Sequence, residues 1–185
     1  MINKQTITRK GTFDAGHRVM NERMKCFNLH GHTYIYKLKF EFSTMEEIGY
    51  AIDFKEIKRI ACEWIDLFLD HCMIMNPKDV KVIDTCIEME SKSWLMSLNG
   101  TDYCNPTAEN IAKEIFLAME ILFRGANNGL RIKKVILNET PNCRVDCKLK
   151  SITEDERMNF HEARFKDIEN FRINKGKIEY DDRKN

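Results

Sequence analysis

Three histidines define the chemistry open to this chain. His30 and His32 flank Gly31, and His17 lies upstream. In a β-strand, positions i and i+2 point to the same face. The pair can therefore offer two imidazoles to one ion, with His17 arriving from a neighbouring segment. Three histidine ligands leave the fourth tetrahedral position of a zinc ion open, which is the arrangement of a catalytic site. Cys26 precedes His30 closely enough to reach whatever fills that position. These residues alone leave three readings open: a catalytic zinc, a closed structural zinc with Cys26 as fourth ligand, or no metal and ordinary histidines.

Bulk composition narrows the class. A chain of 185 residues, 43% hydrophobic and 32% charged, is long and apolar enough for one globular domain with a proper core. A net charge of +1 provides no field that would favour nucleic acid or a membrane surface. No apolar run approaches the ~20 residues that span a bilayer. Met1 to Lys10 is polar, without the apolar stretch of a secretory signal. The cytoplasm is the expected location, with neither nucleic acid nor membrane as partner. An odd count of seven cysteines then reads as reduced thiols. Cys62, Cys72, Cys86, Cys104, Cys143 and Cys147 form no CxxC pair and read as buried or incidental thiols. Cys26 stands apart by virtue of its neighbours.

The elements that must position these residues follow from periodicity. Segments 5–16 and 32–43 are rich in β-branched and aromatic residues, and the second alternates Tyr34, Tyr36, Leu38 and Phe40 with polar positions. Two strands joined by a loop over 18–29 would bring His17 to His30 and His32. Asp53 caps a helix with an apolar stripe through Phe54, Ile57, Ala61, Trp64 and Phe68, ending near Asp70-His71. Thr107 caps a second helix that runs to Arg124-Gly125. Segments 130–140 and 143–150 read as a hairpin around Pro141-Asn142. The expected order is β-β-α-α-β-β: an α+β fold, a four-stranded antiparallel sheet with two helices on one face. The uncovered face points to oligomerisation. Residues 73–104 form a long connection in which 79–97 could be helical. Residues 1–150 make the main domain, and 151–185 a charged, helical C-terminal extension that Thr153 and Glu156 open with a capping box.

An ordered set of segments carries a family resemblance. These are Phe13 to His17, Lys25 to His32, Ala51 to Phe54, Leu69 to His71, Asn105 to Asn110 and Val135 to Thr140. Together they resemble the 6-pyruvoyltetrahydropterin synthase and 6-carboxytetrahydropterin synthase superfamily, over roughly 6–72 and 103–147. The short Cys-x-x-x-His-Gly-His spacing is similar to that of the 6-carboxytetrahydropterin synthases of queuosine-precursor biosynthesis. Ala15-Gly16-His17 departs slightly from the commoner Ala-Ala-His. The connection 73–104 and the tail lie outside the resemblance.

The resemblance implies the tunnelling fold (T-fold), assembled as an oligomeric barrel, typically a homohexamer of two stacked trimers with sites between subunits. It implies Zn2+ held by His17, His30 and His32, and a pterin substrate, 7,8-dihydroneopterin triphosphate. The expected reaction yields 6-carboxy-5,6,7,8-tetrahydropterin, acetaldehyde and triphosphate. The alternatives are a 6-pyruvoyltetrahydropterin synthase, or a non-catalytic zinc- or pterin-binding oligomer. Cys26 becomes the general base, because a thiol near a metal can ionise close to neutrality. Asp70 and His71 join it as a proton relay, with the carboxylate setting the imidazole's tautomer. Glu139 would accept two hydrogen bonds from the pterin's N2 amino group and N3–H. Thr107 is expected to help bind the pterin and to cap its helix, and Glu109 to support the site or the helix dipole. Lys25 and Arg18 are the cations considered for the triphosphate.

Overall fold

The computed structural model describes residues 5–178 of the chain. Strands β1 (Gln5–His17) and β2 (His30–Phe42) pair antiparallel along their whole length, with His17 opposite His30 and Ala15 opposite His32. Their alternation is the one read from sequence: Tyr34, Tyr36, Leu38, Phe40 and Phe42 are buried, and the residues between them are not. β5 (Arg131–Thr140) adds antiparallel to β2, and β6 (Cys143–Cys147) closes the expected hairpin onto β5.

The sheet has six strands rather than four, in the order β4-β3-β1-β2-β5-β6. The extra pair lies in and beside the long connection. β3 (Cys72–Met75) runs parallel to the end of β1, and β4 (Ser93–Leu95) runs parallel to β3. β1 would otherwise present an edge of unpaired amides and carbonyls, and β3 covers that edge. The sheet is therefore mixed, not wholly antiparallel. Strands of four and three residues whose partners are distant in sequence leave no period-2 signature, so the pattern CMIM reads as merely apolar.

Helix α1 (Phe54–Ile57) is capped by Asp53, whose carboxylate accepts from the Lys55 amide, and passes through a π turn (Lys58–Cys62) into α2 (Glu63–Phe68). Helix α3 (Val80–Glu88) occupies part of the connection expected to be helical, before the chain turns into β4. Helix α4 (Ala108–Leu122) packs against β5 and β6. Thr107 accepts from the Asn110 amide and so caps α4 as expected. Helix α5 (Glu154–Ile178) opens with the capping box of Thr153 and Glu156, and packs on α4. Residues 179–185 of the expected extension lie outside the described residues. Phe160 and Ile168 of α5 share one core with Trp64, Ile115 and the inward face of β2.

Candidate active site

The three histidines stand at one end of the sheet, on the face whose remaining side chains form the core. Cross-strand register does the work. His17 and His30 are directly opposed, and His32 follows on the same face. The ring centroids of His17 and His30 lie 4.5 Å apart, those of His30 and His32 5.0 Å, and those of His17 and His32 5.2 Å. One nitrogen from each ring lies within 4.8 Å of the others. Gly31, between the pair, sits where a Cβ would come within 2.9 Å of the Ala15 carbonyl oxygen. A larger residue there would push β1 and β2 apart at the point where the imidazoles must meet.

Hydrogen bonds assign the tautomers. His17 Nδ1 lies 2.7 Å from the Pro106 carbonyl oxygen, and His30 Nδ1 lies 2.7 Å from that of Asn28. A carbonyl only accepts, so both Nδ1 atoms carry hydrogen and both Nε2 atoms present a lone pair. His17 Nε2 is buried with no hydrogen-bond partner. Burial lowers the His17 pKa, aided by the neighbouring His30 and His32 and opposed by the Pro106 carbonyl and Glu139. A neutral, oriented imidazole with an orphaned lone pair is what a metal ligand requires. The three residues therefore fit a zinc ion, and the Pro106 and Asn28 carbonyls are the orienting groups. Sequence patterns do not show such main-chain partners, although Pro106, just ahead of the Thr107 cap, marks a backbone held in a fixed direction.

Cys26, in a 3-10 turn (Lys25–Phe27), lines a cavity of about 220 Å3 together with His17, Thr107, Glu109 and Glu139. Glu139 Oε1 lies 3.6 Å from His17 Nε2. Tyr34 underlies this group with its hydroxyl buried; that burial, together with the Glu139 carboxylate, pushes its pKa far up. Arg18 points away from the cavity into an ion pair with Asp79, while Lys25 is exposed.

Asp70 and His71 stand elsewhere. His71 adopts a left-handed backbone, φ 52°, as α2 turns into β3, and its amide donates to the Asp14 carbonyl at 2.6 Å. Its Nδ1 donates to Asp70 Oδ2 at 2.6 Å, and Asp70 Oδ1 accepts from the Asp14 amide at 2.7 Å. The hydrogen bond to Asp70 and that carboxylate's charge raise the His71 pKa above its ordinary value. Burial alone would raise that of Asp70, but the Asp14 amide and His71 outweigh it and the net shift is downward. His71 lines a separate, larger groove of about 770 Å3, with Asp14, His32 and Met73, and Asp70 holds its ring from behind. Within one chain, then, the structure brings Cys26, Glu139, Thr107 and Glu109 to His17 of the histidine trio, and sets His71, paired with Asp70, in the neighbouring groove that reaches His32.

Fold and site together define a small α+β protein with three histidines able to hold a metal ion at one end of its sheet. The chain belongs to the 6-pyruvoyl tetrahydropterin synthase family, whose model matches residues 6–150. It is 37% identical over 142 residues to the 6-carboxy-5,6,7,8-tetrahydropterin synthase of Rickettsia bellii, covering 75% of this chain and 96% of that one. The enzyme of that name from Rickettsia felis is 38% identical over 146 residues, with the same coverage. Among solved structures, an uncharacterised protein from Wolinella succinogenes superposes with a TM-score of 0.61 at 20% identity, covering 79% of this chain and 98% of that one. The 6-pyruvoyl tetrahydropterin synthase of Caenorhabditis elegans gives 0.54 at 22% identity, covering 80% and 96%. The structural likenesses show that the fold is shared. No described helix is long and apolar enough to cross a membrane.

Proposed function

We propose that this enzyme converts 7,8-dihydroneopterin triphosphate to 6-carboxy-5,6,7,8-tetrahydropterin, releasing acetaldehyde and triphosphate, as a step toward queuosine and other 7-deazaguanines. The observation that carries the reading is the convergence of His17, His30 and His32 on one point, with two tautomers set for Nε2, where His17 also lines a cavity that holds a thiol and the Glu139 carboxylate. Relatives named 6-carboxy-5,6,7,8-tetrahydropterin synthase, at 37% and 38% identity, support the carboxy product over the pyruvoyl one.

In this reading His17, His30 and His32 hold zinc. A bound zinc ion would act as a Lewis acid on the substrate's side-chain hydroxyls, acidifying them and stabilising the charge that develops. Glu139 accepts from the pterin's N2 amino group and N3–H, orienting the ring in the cavity. Thr107 and Glu109, at the start of α4, flank the ring and complete that wall. Cys26, beside the same cavity, takes a proton from the side chain as general base. His71, held by Asp70, exchanges protons with the reacting side chain; its raised pKa keeps a proton available near neutrality.

Cys26 and His71 line different cavities of one chain. The relay therefore calls for two chains, and the protein works as a homo-oligomer, a hexamer of two trimers in this reading. Residues 1–150 form the catalytic unit and 151–185 its helical extension.

Incubation of purified enzyme with 7,8-dihydroneopterin triphosphate, read by mass spectrometry, tests the proposal. The expected products are the 6-carboxy pterin and acetaldehyde. A 6-pyruvoyl product without acetaldehyde would assign the chain to the other activity of its family, and absence of turnover would overturn the catalytic reading.

A further inference from the structure

We propose that Arg18 and Asp79 are positioning residues for Cys26: a single guanidinium ties the loop that carries the thiol to the connection between β3 and α4. This rests on the reading of Cys26 as the base.

The loop between β1 and β2 is held within itself by short-range turn hydrogen bonds, such as Met24 N–H to the Asn21 carbonyl and Phe27 N–H to the Met24 carbonyl, and buries little of itself against the core. Of its residues Val19 alone is buried, and Glu22 to Lys25 are exposed. Those local bonds shape the loop, but the direction in which it carries the thiol relative to the histidines is set by anchors from outside. Arg18 supplies the anchor in two directions at once. Its edge donates to Asp79 twice, Nε to Oδ2 at 2.5 Å and Nη2 to Oδ1 at 2.8 Å, and Asp79 is only 3% exposed. Its face covers the ring of Phe27, 4.8 Å from the centroid, and Phe27 directly follows Cys26. A planar guanidinium can pair with a carboxylate along its edge and stack on an aromatic ring with its face; an ammonium group cannot do both.

Three further bonds fasten the same loop. The Val19 amide donates to the Cys26 carbonyl at 2.7 Å, closing the loop across its base. The Met20 amide donates to Asn105 Oδ1 at 2.9 Å, and the Tyr103 hydroxyl donates to the Met20 carbonyl at 2.5 Å. Asn105 is itself gripped by Asn76, which is fully buried and also accepts from the Lys78 and Cys104 amides. The residues that hold the thiol loop from outside, Asn76, Asp79, Tyr103 and Asn105, thus come from the segment joining β3 to α4. The long connection has a task at the active site although it contributes no group to the chemistry. Arg18, doubly bonded to Asp79, is accordingly a strut and not a contact for the triphosphate.

Steady-state kinetics and amide hydrogen exchange on Arg18→Lys, Phe27→Leu and the double variant test this. Both single changes leave Asp79 facing a cation, so the fold and the bound zinc are retained. Each single variant should lower kcat by up to about 10²-fold, the scale of an ångström-sized misplacement, with KM little changed. The double variant should fall no further than the worse single one, because both remove one contact. Exchange at residues 19–27 should quicken while β1 and β2 stay protected. Unaltered kcat in both single variants would overturn the clamp, and so would a loss of activity matched by loss of zinc. Cys26→Ala is the control. Undiminished turnover there overturns the base assignment together with the clamp's catalytic role, whereas undiminished turnover confined to the Arg18 and Phe27 variants overturns the clamp alone.

Discussion

If His17, His30 and His32 hold zinc as proposed, replacing His17 by alanine should remove the stabilisation the ion would confer, at a separate and smaller cost to the metal-free form. In the metal-free form the change deprives the Pro106 carbonyl of its donor, now 2.7 Å away, a loss of about 1–3 kcal/mol for a buried polar group. The orphaned Nε2 disappears as well, which offsets part of that cost. With metal the difference is larger in kind. A ligand present at ~100 times its dissociation constant stabilises the native state by about 2.7 kcal/mol. For a chain of this size each kcal/mol moves the melting temperature by about 2–4 °C, so zinc should raise the wild-type midpoint by about 5–11 °C. Burial holds His17 neutral at pH 7, so proton competition at this ring does not mask the effect. Thermal melts with chelator and with graded zinc separate the two quantities. The expected result is a zinc increment in the wild type and none in His17→Ala. A full increment in the variant would refute the three-histidine site. Cys26→Ala should keep the increment; losing it as completely as His17→Ala would show a closed site with sulfur as the fourth ligand.

Three further outcomes are expected. On the proposed relay shared between chains, oligomers of Cys26→Ala and of His71→Ala should each be inactive, yet unfolding, mixing and refolding them together should restore a fraction of wild-type turnover; no recovery would place the relay within one chain. In Asp70→Asn the NMR titration midpoint of His71 should fall, since the carboxylate favours the charged imidazole; an unmoved midpoint would refute that pairing. Arg131 and Lys133 hold the Glu41 carboxyl at about 2 against an ordinary 4.5, despite some burial. A depressed carboxyl stabilises the native state above pH 4.5 and loses that contribution as the pH falls toward 2. Glu41→Gln should therefore cost about 1–2 kcal/mol at pH 7, discounted because both cations are largely exposed. Denaturant melts should show the gap to wild type closing between pH 4.5 and 2, and a gap independent of pH would contradict the assignment.

The parts of this molecule that were legible in its sequence are those with local period or chemistry. Alternation in β2 announced both a strand and its buried face, and His-Gly-His on that strand announced two imidazoles side by side. Thr107 and Asp53 announced helix starts because capping is a local event. What stayed hidden depends on partners far along the chain. β3 and β4 exist because the edge of β1 needs covering, and their few residues carry no alternation of their own. The carbonyls of Asn28 and Pro106 orient two imidazoles, but a main-chain group looks alike at every position. Arg18 beside a candidate metal ligand reads naturally as an anion contact; only the folded chain shows that Asp79, distant in sequence, pairs with it. Likewise the sequence does not show that His71, where α2 turns into β3, lines a groove beside His32 rather than the cavity of Cys26.

The C-terminal helix begins after the stretch, residues 6–150, that the family model matches. It nevertheless places Phe160 and Ile168, both essentially inaccessible, among the side chains that hold α4 to the sheet. The ancestral outline is thus no longer a self-sufficient object here. Cutting the gene back to the length of its shorter cousins would strip the lid from an oily interior and yield sticky, poorly behaved material, so anyone seeking a minimal version must keep the added helix or resurface what lies beneath it.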